Sequence, residues 1–221
     1  MQDIQTEFKM QDNKGSNTVS LIGEVISEPE FSHKVFGEGF YETHLKVSRL
    51  SDQYDIIPIT VSDRLMQNVP LNVGRIVSVE GQFRSYNKIT ESRSKLMLTV
   101  FVRELECGES VLDKNPNHIE LTGYICKPPV FRTTPFKREI CDVLLAVNRA
   151  YNKSDYIPCI AWGRNARFAQ SLNVGAKVVL FGRVQSREYQ KQLNEEEAET
   201  RTAYEISIAR ISLADYNSNE E

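Results

Sequence analysis

Arg183, Arg187 and Tyr189 share one parity of a run whose other parity holds Val178, Leu180 and Val184. In an extended chain alternate side chains point to opposite faces, so the apolar set can line a core while the guanidiniums and the phenol face a ligand. Tyr156 and Trp162 stand six residues apart, an even separation that puts both rings on one face of a regular strand. Arg149, Lys153, Arg164, Arg167 and Arg201 lie near these aromatics in sequence. Each phosphate that such a cation neutralises adds a salt-dependent increment of binding. Catalysis is not indicated: His33, His44 and His118 pair with no repeated nucleophile or carboxylate pattern, and no Gly-rich phosphate loop or dinucleotide fingerprint occurs. Cys107, Cys126, Cys141 and Cys159 are scattered without a Cys-x-x-Cys pair or a nearby histidine cluster, so no metal and no cofactor is expected.

These residues belong to the second of two similar halves. Asn17, Leu21, Gly23, Pro29 and Phe31 recur one hundred positions on as Asn117, Leu121, Gly123, Pro129 and Phe131. The same offset carries Leu45, Val47, Arg49, Asp55, Ile57, Pro58 and Arg64 onto Leu145, Val147, Arg149, Asp155, Ile157, Pro158 and Arg164. One inserted residue later, Leu71, Asn72, Val73, Gly74 and Gly81 are answered by Leu172, Asn173, Val174, Gly175 and Gly182. A length of 221 residues suits two domains of about 100 residues each. The net charge of −3 argues against an indiscriminate binder of polyanions. Residues 17–106 carry 10 Lys and Arg against 12 Asp and Glu, a net of −2, and residues 117–216 carry 14 against 11, a net of +3. The second half is the basic one. With no secretory leader or long apolar run, the chain reads as cytoplasmic and without a membrane partner.

The elements that must position the chemistry are mostly strands. Residues 1–16 are polar and read as a loose arm, 17–106 as the first domain, 107–116 as an exposed linker, 117–214 as the second domain and 215–221 as a short polar tail. Each domain opens on an alternating strand, Val19 to Val25 or Ile119 to Ile125, which Pro29 or Pro129 ends. A second strand at Leu45 to Arg49 or Val143 to Val147 leads to a third at Ile56 to Val61 or Tyr156 to Trp162. Pro58 and Pro158 inside that third run imply an edge position or a bulge. A helix over Arg164 to Leu172, with Ala166, Ala169 and Leu172 inward, follows in the second domain, and a shorter one over Arg64 to Val69 in the first, where Pro70 intervenes. Two more strands complete each copy. Three strands, a helix and two strands is the order of an all-β, five-stranded Greek-key barrel of OB-fold type, here twice in tandem. An immunoglobulin-like sandwich would want about seven strands and no such helix.

At Asp155-Tyr-Ile-Pro-Cys-Ile-Ala-Trp-Gly163, the Ala-containing helix, Val174-Gly175, Gly182-Arg-Val-Gln-Ser-Arg187 and Tyr189, the chain resembles the bacterial single-stranded DNA-binding protein (SSB) family. The resemblance covers residues 117 to about 213 and is weaker over residues 17 to about 105. It implies sequence-tolerant binding of single-stranded DNA in replication, recombination or repair, with unpaired bases stacked on aromatic rings and phosphates tracked by basic side chains. The stacking platforms it implies are Tyr151 in the loop after the second strand, Tyr156 and Trp162 on the third, and Tyr189 at the last hairpin. The phosphate set it implies is Arg149, Lys153, Arg164, Arg167, Arg183, Arg187 and Arg201. It further implies a nucleoid-associated homodimer that presents four OB domains.

The first copy serves as a control. Tyr151, Tyr156 and Trp162 are answered by Ser51, Ile56 and Ser62, while Tyr189 is read as keeping a counterpart in Tyr86, which joins the stacking set. Lys153 and Arg183 are answered by Gln53 and Gln82. The second domain is therefore expected to supply most of the affinity and the first to assemble or assist. Family members commonly end in a long linker and an acidic Pro-Phe tip, whereas this chain ends at Asn217-Ser-Asn-Glu-Glu221, which leaves replication or repair proteins as partners without that means of recruitment. The acidic run Glu195 to Glu199 reads as a solvated hairpin tip with no fixed cage for a metal. A competing reading is a protein-interaction module of primosomal type with secondary nucleic-acid binding. Stacking alone does not distinguish RNA from DNA unless the 2′-hydroxyl is read.

Overall fold

The computed structural model describes residues 16–49, 51–90, 93–107, 116–150, 152–192 and 198–214. In the first copy the elements are β1 (Asn17–Val25), β2 (Glu30–Val35), β3 (Glu38–Ser48), β4 (Tyr54–Ser62), α1 (Asp63–Asn68), β5 (Ile76–Thr90) and β6 (Arg93–Cys107). The second copy repeats them as β7 (Asn117–Ile125), β8 (Val130–Thr133), β9 (Glu139–Arg149), β10 (Lys153–Trp162), α2 (Arg164–Gln170), β11 (Lys177–Gln192) and β12 (Ala198–Leu213). Each copy is a closed five-stranded OB barrel. In the first, β1 pairs with β3, β3 with β4, β4 in parallel with β6, β6 with β5 and β5 back with β1.

Closure depends on glycines at close backbone approaches. The end of β1 pairs on both sides, Glu24 with Ile76 of β5 and with Lys46 of β3, and a Cβ on Gly23 would lie 2.8 Å from the Lys46 carbonyl oxygen. Arg103 of β6 and Ala209 of β12 bulge opposite the Glu80–Gly81 and Phe181–Gly182 steps, where a Cβ on Gly81 or Gly182 would collide with the Phe101 or Ser207 carbonyl. The inner faces carry Leu21, Leu45, Ile57 and Phe83 in one barrel and Leu121, Leu145, Ile157 and Leu180 in the other, all fully buried. Burying each such side chain contributes about 1.5–3 kcal/mol.

Three sequence expectations are corrected. Each barrel carries an additional strand, β2 or β8, hydrogen-bonded only to β3 or β9 and starting just after Pro29 or Pro129. Pro58 and Pro158 cause no bulge: the β3–β4 and β9–β10 ladders run through them in unbroken register. They fit because pairing with the neighbour on the other side begins one residue later, at Ile59 and Cys159, so the missing N–H interrupts no ladder. The second helix is shorter than expected, ending at Gln170 and not Leu172, although it still buries Ala166 and Ala169, with Leu172 buried just beyond it, and α1 has the expected length one residue earlier.

The barrels are joined by strand pairing. β1 and β7 run antiparallel from Asn17↔Leu121 to Leu21↔Asn117, which merges both barrels into one twelve-stranded sheet. Asn17 and Asn117 make this possible. Their backbones pair across the junction while their buried side chains bond both ways to the backbone of Phe83 or Val184, at 2.7 and 2.9 Å in each case, extending the ladder to β5 or β11.

Candidate nucleic-acid interface

Tyr156 and Trp162 stand on the outer side of β10, 48% and 38% exposed, alternating with buried Ile157, Cys159 and Ala161. The register from Lys153↔Arg149 to Trp162↔Ile140 has no shift, so both rings share one face. They are spaced by roughly 20 Å along the strand at about 3.3 Å per residue. Tyr189 lies on β11, 38% exposed, with Arg201 directly opposite on β12 and the Arg187 guanidinium 5.9 Å from its ring centroid. Tyr151 lies outside the described residues. So do the linker core 108–115, the tail 215–221 and Glu195 to Glu197 of the acidic run.

Tyr86 is 39% exposed, and its hydroxyl donates to Glu42 at 3.2 Å. Burial, and then the Glu42 carboxylate, push the phenol up to about 12, so it stays neutral at ordinary pH. It is not the counterpart of Tyr189. Tyr86 lies five residues beyond Gly81, which matches Arg187 beyond Gly182, whereas Tyr189 matches Lys88. The offset of 101 residues that carries Gly81 onto Gly182 carries Tyr86 onto Arg187 in the sequence as well.

The cations divide into two groups. Lys153, opening β10, and Arg164, opening α2, are exposed and engage in no ion pair among the described residues. The others face carboxylates. Arg167 donates twice to Glu139, at 2.7 and 3.0 Å, and Arg201 to Glu199 at 2.8 Å. Arg187 lies 3.7 Å from Glu205.

Arg149 and Arg183 work at the barrel junction, an arrangement that sequence reasoning missed. Asp55, fully buried, accepts the backbone N–H of Ser186 from the other barrel at 2.8 Å, while the Ser186 hydroxyl oxygen accepts the N–H of Ile56 at 3.0 Å. Asp155 and Ser85 repeat the exchange in the opposite direction: Ser85 N–H to Asp155 at 2.8 Å, and Tyr156 N–H to the Ser85 hydroxyl oxygen at 2.8 Å. Arg49 holds the Asp55 carboxylate at 2.8 and 2.5 Å, with Arg183 a second cation at 3.3 Å, and Arg149 lies 3.6 Å from Asp155. The hydrogen bond to Asp55 pushes Arg49 up from its ordinary value, whereas burial and the neighbouring Arg49 pull Arg183 down. Arg49 is thus the primary partner. The signal available in sequence was the recurrence of Asp55 as Asp155 together with Ser85 as Ser186.

This junction sets Tyr156 of the second barrel beside Ser85 and Tyr86 of the first. Next to them a groove of about 360 Å³ is lined by Glu42, Arg84, Tyr86, Thr99 and Phe101 of the first barrel and by Arg149 of the second. The Arg84 guanidinium lies 3.8 Å from the Phe101 ring centroid, and burial and then Arg149 bring it down to about 10, still cationic near neutrality. Tyr156 and Tyr86 thus meet the Arg84 and Arg149 cations where the two barrels join. No helix among the described residues is long and apolar enough to cross a membrane.

Residues 116–214 match the family model described as "Single-strand binding protein family". Single-stranded DNA-binding protein 1 of Staphylococcus aureus (strain COL) is 34% identical over 83 residues, covering 34% of this chain and 50% of that protein. Single-stranded DNA-binding protein 1 of Lactococcus lactis subsp. lactis is 31% identical over 83 residues, covering 34% of this chain and 55% of that protein. The chain spans about half the length of the relatives it matches. The crystal structure of the wild-type single-stranded DNA binding protein from Thermus aquaticus superposes with a TM-score of 0.74 at 18% identity, covering 94% of this chain and 97% of that one. That likeness is one of fold and runs through both barrels.

Proposed function

We propose that this protein binds single-stranded DNA with little regard to sequence and shields it during replication, recombination or repair, a reading supported by the match of residues 116–214 to the single-strand binding protein family model. The observation that carries this reading is the pair of exposed rings, Tyr156 and Trp162, on one side of an unbroken strand with Tyr189 on the adjoining hairpin. Unpaired bases stack on these rings and on Tyr151, and the strand continues onto Tyr86 in the first barrel. Every base has a π-face, so stacking is sequence-tolerant. Lys153 and Arg164 meet phosphates directly. Arg149, Arg167, Arg183, Arg187 and Arg201 meet them only by sharing or leaving a carboxylate. The second barrel supplies most of the affinity, and the protein acts as a homodimer.

The lone tryptophan gives the test. Adding oligo-dT quenches Trp162 fluorescence, with an affinity that falls as salt rises. An unchanged signal together with no gel shift would overturn the reading. Strong quenching by oligo-U but not by oligo-dT would move the ligand from DNA to RNA.

A further inference from the structure

We propose that the groove of the first barrel holds one unpaired base by its exocyclic amine, with Glu42 as the acceptor, so that guanine, adenine and cytosine are favoured there over thymine and uracil. This rests on the single-strand reading above and adds to it one position at which base identity counts. Glu42 is the only carboxylate among the described residues that line the groove of about 360 Å³. The Ser32 hydroxyl donates to its Oε1 at 2.7 Å, and the Tyr86 hydroxyl donates to the same atom at 3.2 Å. Among the described residues no hydrogen bond reaches Oε2 and no cation pairs with the group.

The second barrel treats the same positions differently. Ser32 and Glu42 recur one hundred residues on as Arg132 and Asp142, and there the guanidinium donates to both carboxylate oxygens, at 2.7 and 3.2 Å. Where one barrel neutralises its carboxylate, the other leaves it open. Gln82, Arg84 and Phe101 are likewise answered in the strand register by Arg183, Gln185 and Ser207. In the first barrel these three build a platform. Arg84 lies 3.8 Å from the Phe101 ring centroid and donates twice to Gln82, at 2.9 and 3.3 Å, while Phe101 packs on Phe40 at 5.4 Å and Phe40 on His33 at 5.1 Å. A guanidinium held in this way offers a flat face on which a base stacks.

An ionised carboxylate only accepts hydrogen bonds. It repels a phosphate and the carbonyl edge of thymine or uracil, whereas an exocyclic amine donates to it. Arg84 and Arg149 line the same groove and attract the backbone. A base edge toward Glu42 and a phosphate toward the arginines is therefore the orientation that leaves no like charges in contact.

The test measures binding of oligo-dC and oligo-dU of equal length to the full chain by fluorescence anisotropy, since these two differ only along the edge that faces Glu42. E42Q removes the charge, adds a donor and lowers the ratio of dC to dU affinity about tenfold, the effect of one hydrogen bond to a charged group. S32R, at an exposed position, pairs Glu42 as Arg132 pairs Asp142 and lowers the same ratio with the carboxylate still in place, which keeps the test decisive if E42Q fails to fold. An unchanged ratio in either folded variant, whether both affinities rise, fall or stay, would overturn the proposal and leave single-strand binding standing. A rise in both affinities by the same factor would show that Glu42 merely repels phosphates. A wild-type chain that binds neither oligonucleotide would overturn the proposal together with the reading it rests on.

Discussion

Tyr156 and Trp162 project from a strand whose alternate residues are fully or nearly fully buried, so their rings contribute little to the barrel core. Replacing either by alanine costs about 1–3 kcal/mol in oligo-dT affinity, the range for one stacked base. Fluorescence anisotropy with labelled oligo-dT reads the loss, and an unchanged affinity in both variants would assign the rings to another role. Salt dependence separates the cations. Lys153→Ala or Arg164→Ala lowers the slope of log affinity against log salt by about 0.7 for each phosphate no longer neutralised. Arg167→Ala lowers it less, since Glu139 already neutralises that charge. The two aromatic positions were legible because parity survives in any regular strand. The engagement of Arg183 was not, since the Asp55 that holds it lies 128 residues away and the pairing exists only once the barrels are joined.

Bulges decide what the elements present. The extra residue Ala209 in β12, opposite the Phe181–Gly182 step, shifts β12 against β11, and Gly182 passes so close to the Ser207 carbonyl that no side chain fits. Gly182→Ala therefore forces backbone movement and destabilises the fold by about 1–3 kcal/mol, the usual cost of overpacking, measured by urea denaturation. Wild-type stability in that variant would contradict the close approach. The equivalence of Tyr86 with Tyr189 fails on the single inserted residue alone, since the offset of 101 that carries Gly81 onto Gly182 and Ser85 onto Ser186 carries Tyr86 onto Arg187. The main barrel strands were readable from their alternation. β2 was not, because every residue of it is exposed and it pairs on one side only, so burial imposes no periodicity on it.

At the scale of the whole molecule, the duplication and two OB barrels were evident from the hundred-residue echo. The β1–β7 junction was hidden, because an edge strand carries the same alternation whichever partner it takes. It makes the halves interdependent. A chain cut between Cys107 and Pro116 is expected to stay together, held by the β1–β7 ladder and the two Asp–Ser exchanges. Size-exclusion chromatography of the two halves expressed together should show one peak containing both, and separate elution would contradict the junction. Had the same ladder formed between two identical chains, every mutation on either side of it would have appeared on both at once. Covalent fusion removes that constraint. One barrel can carry Tyr156 and Trp162 where the other carries Ile56 and Ser62, and each difference is inherited without an obligatory copy on the opposite side.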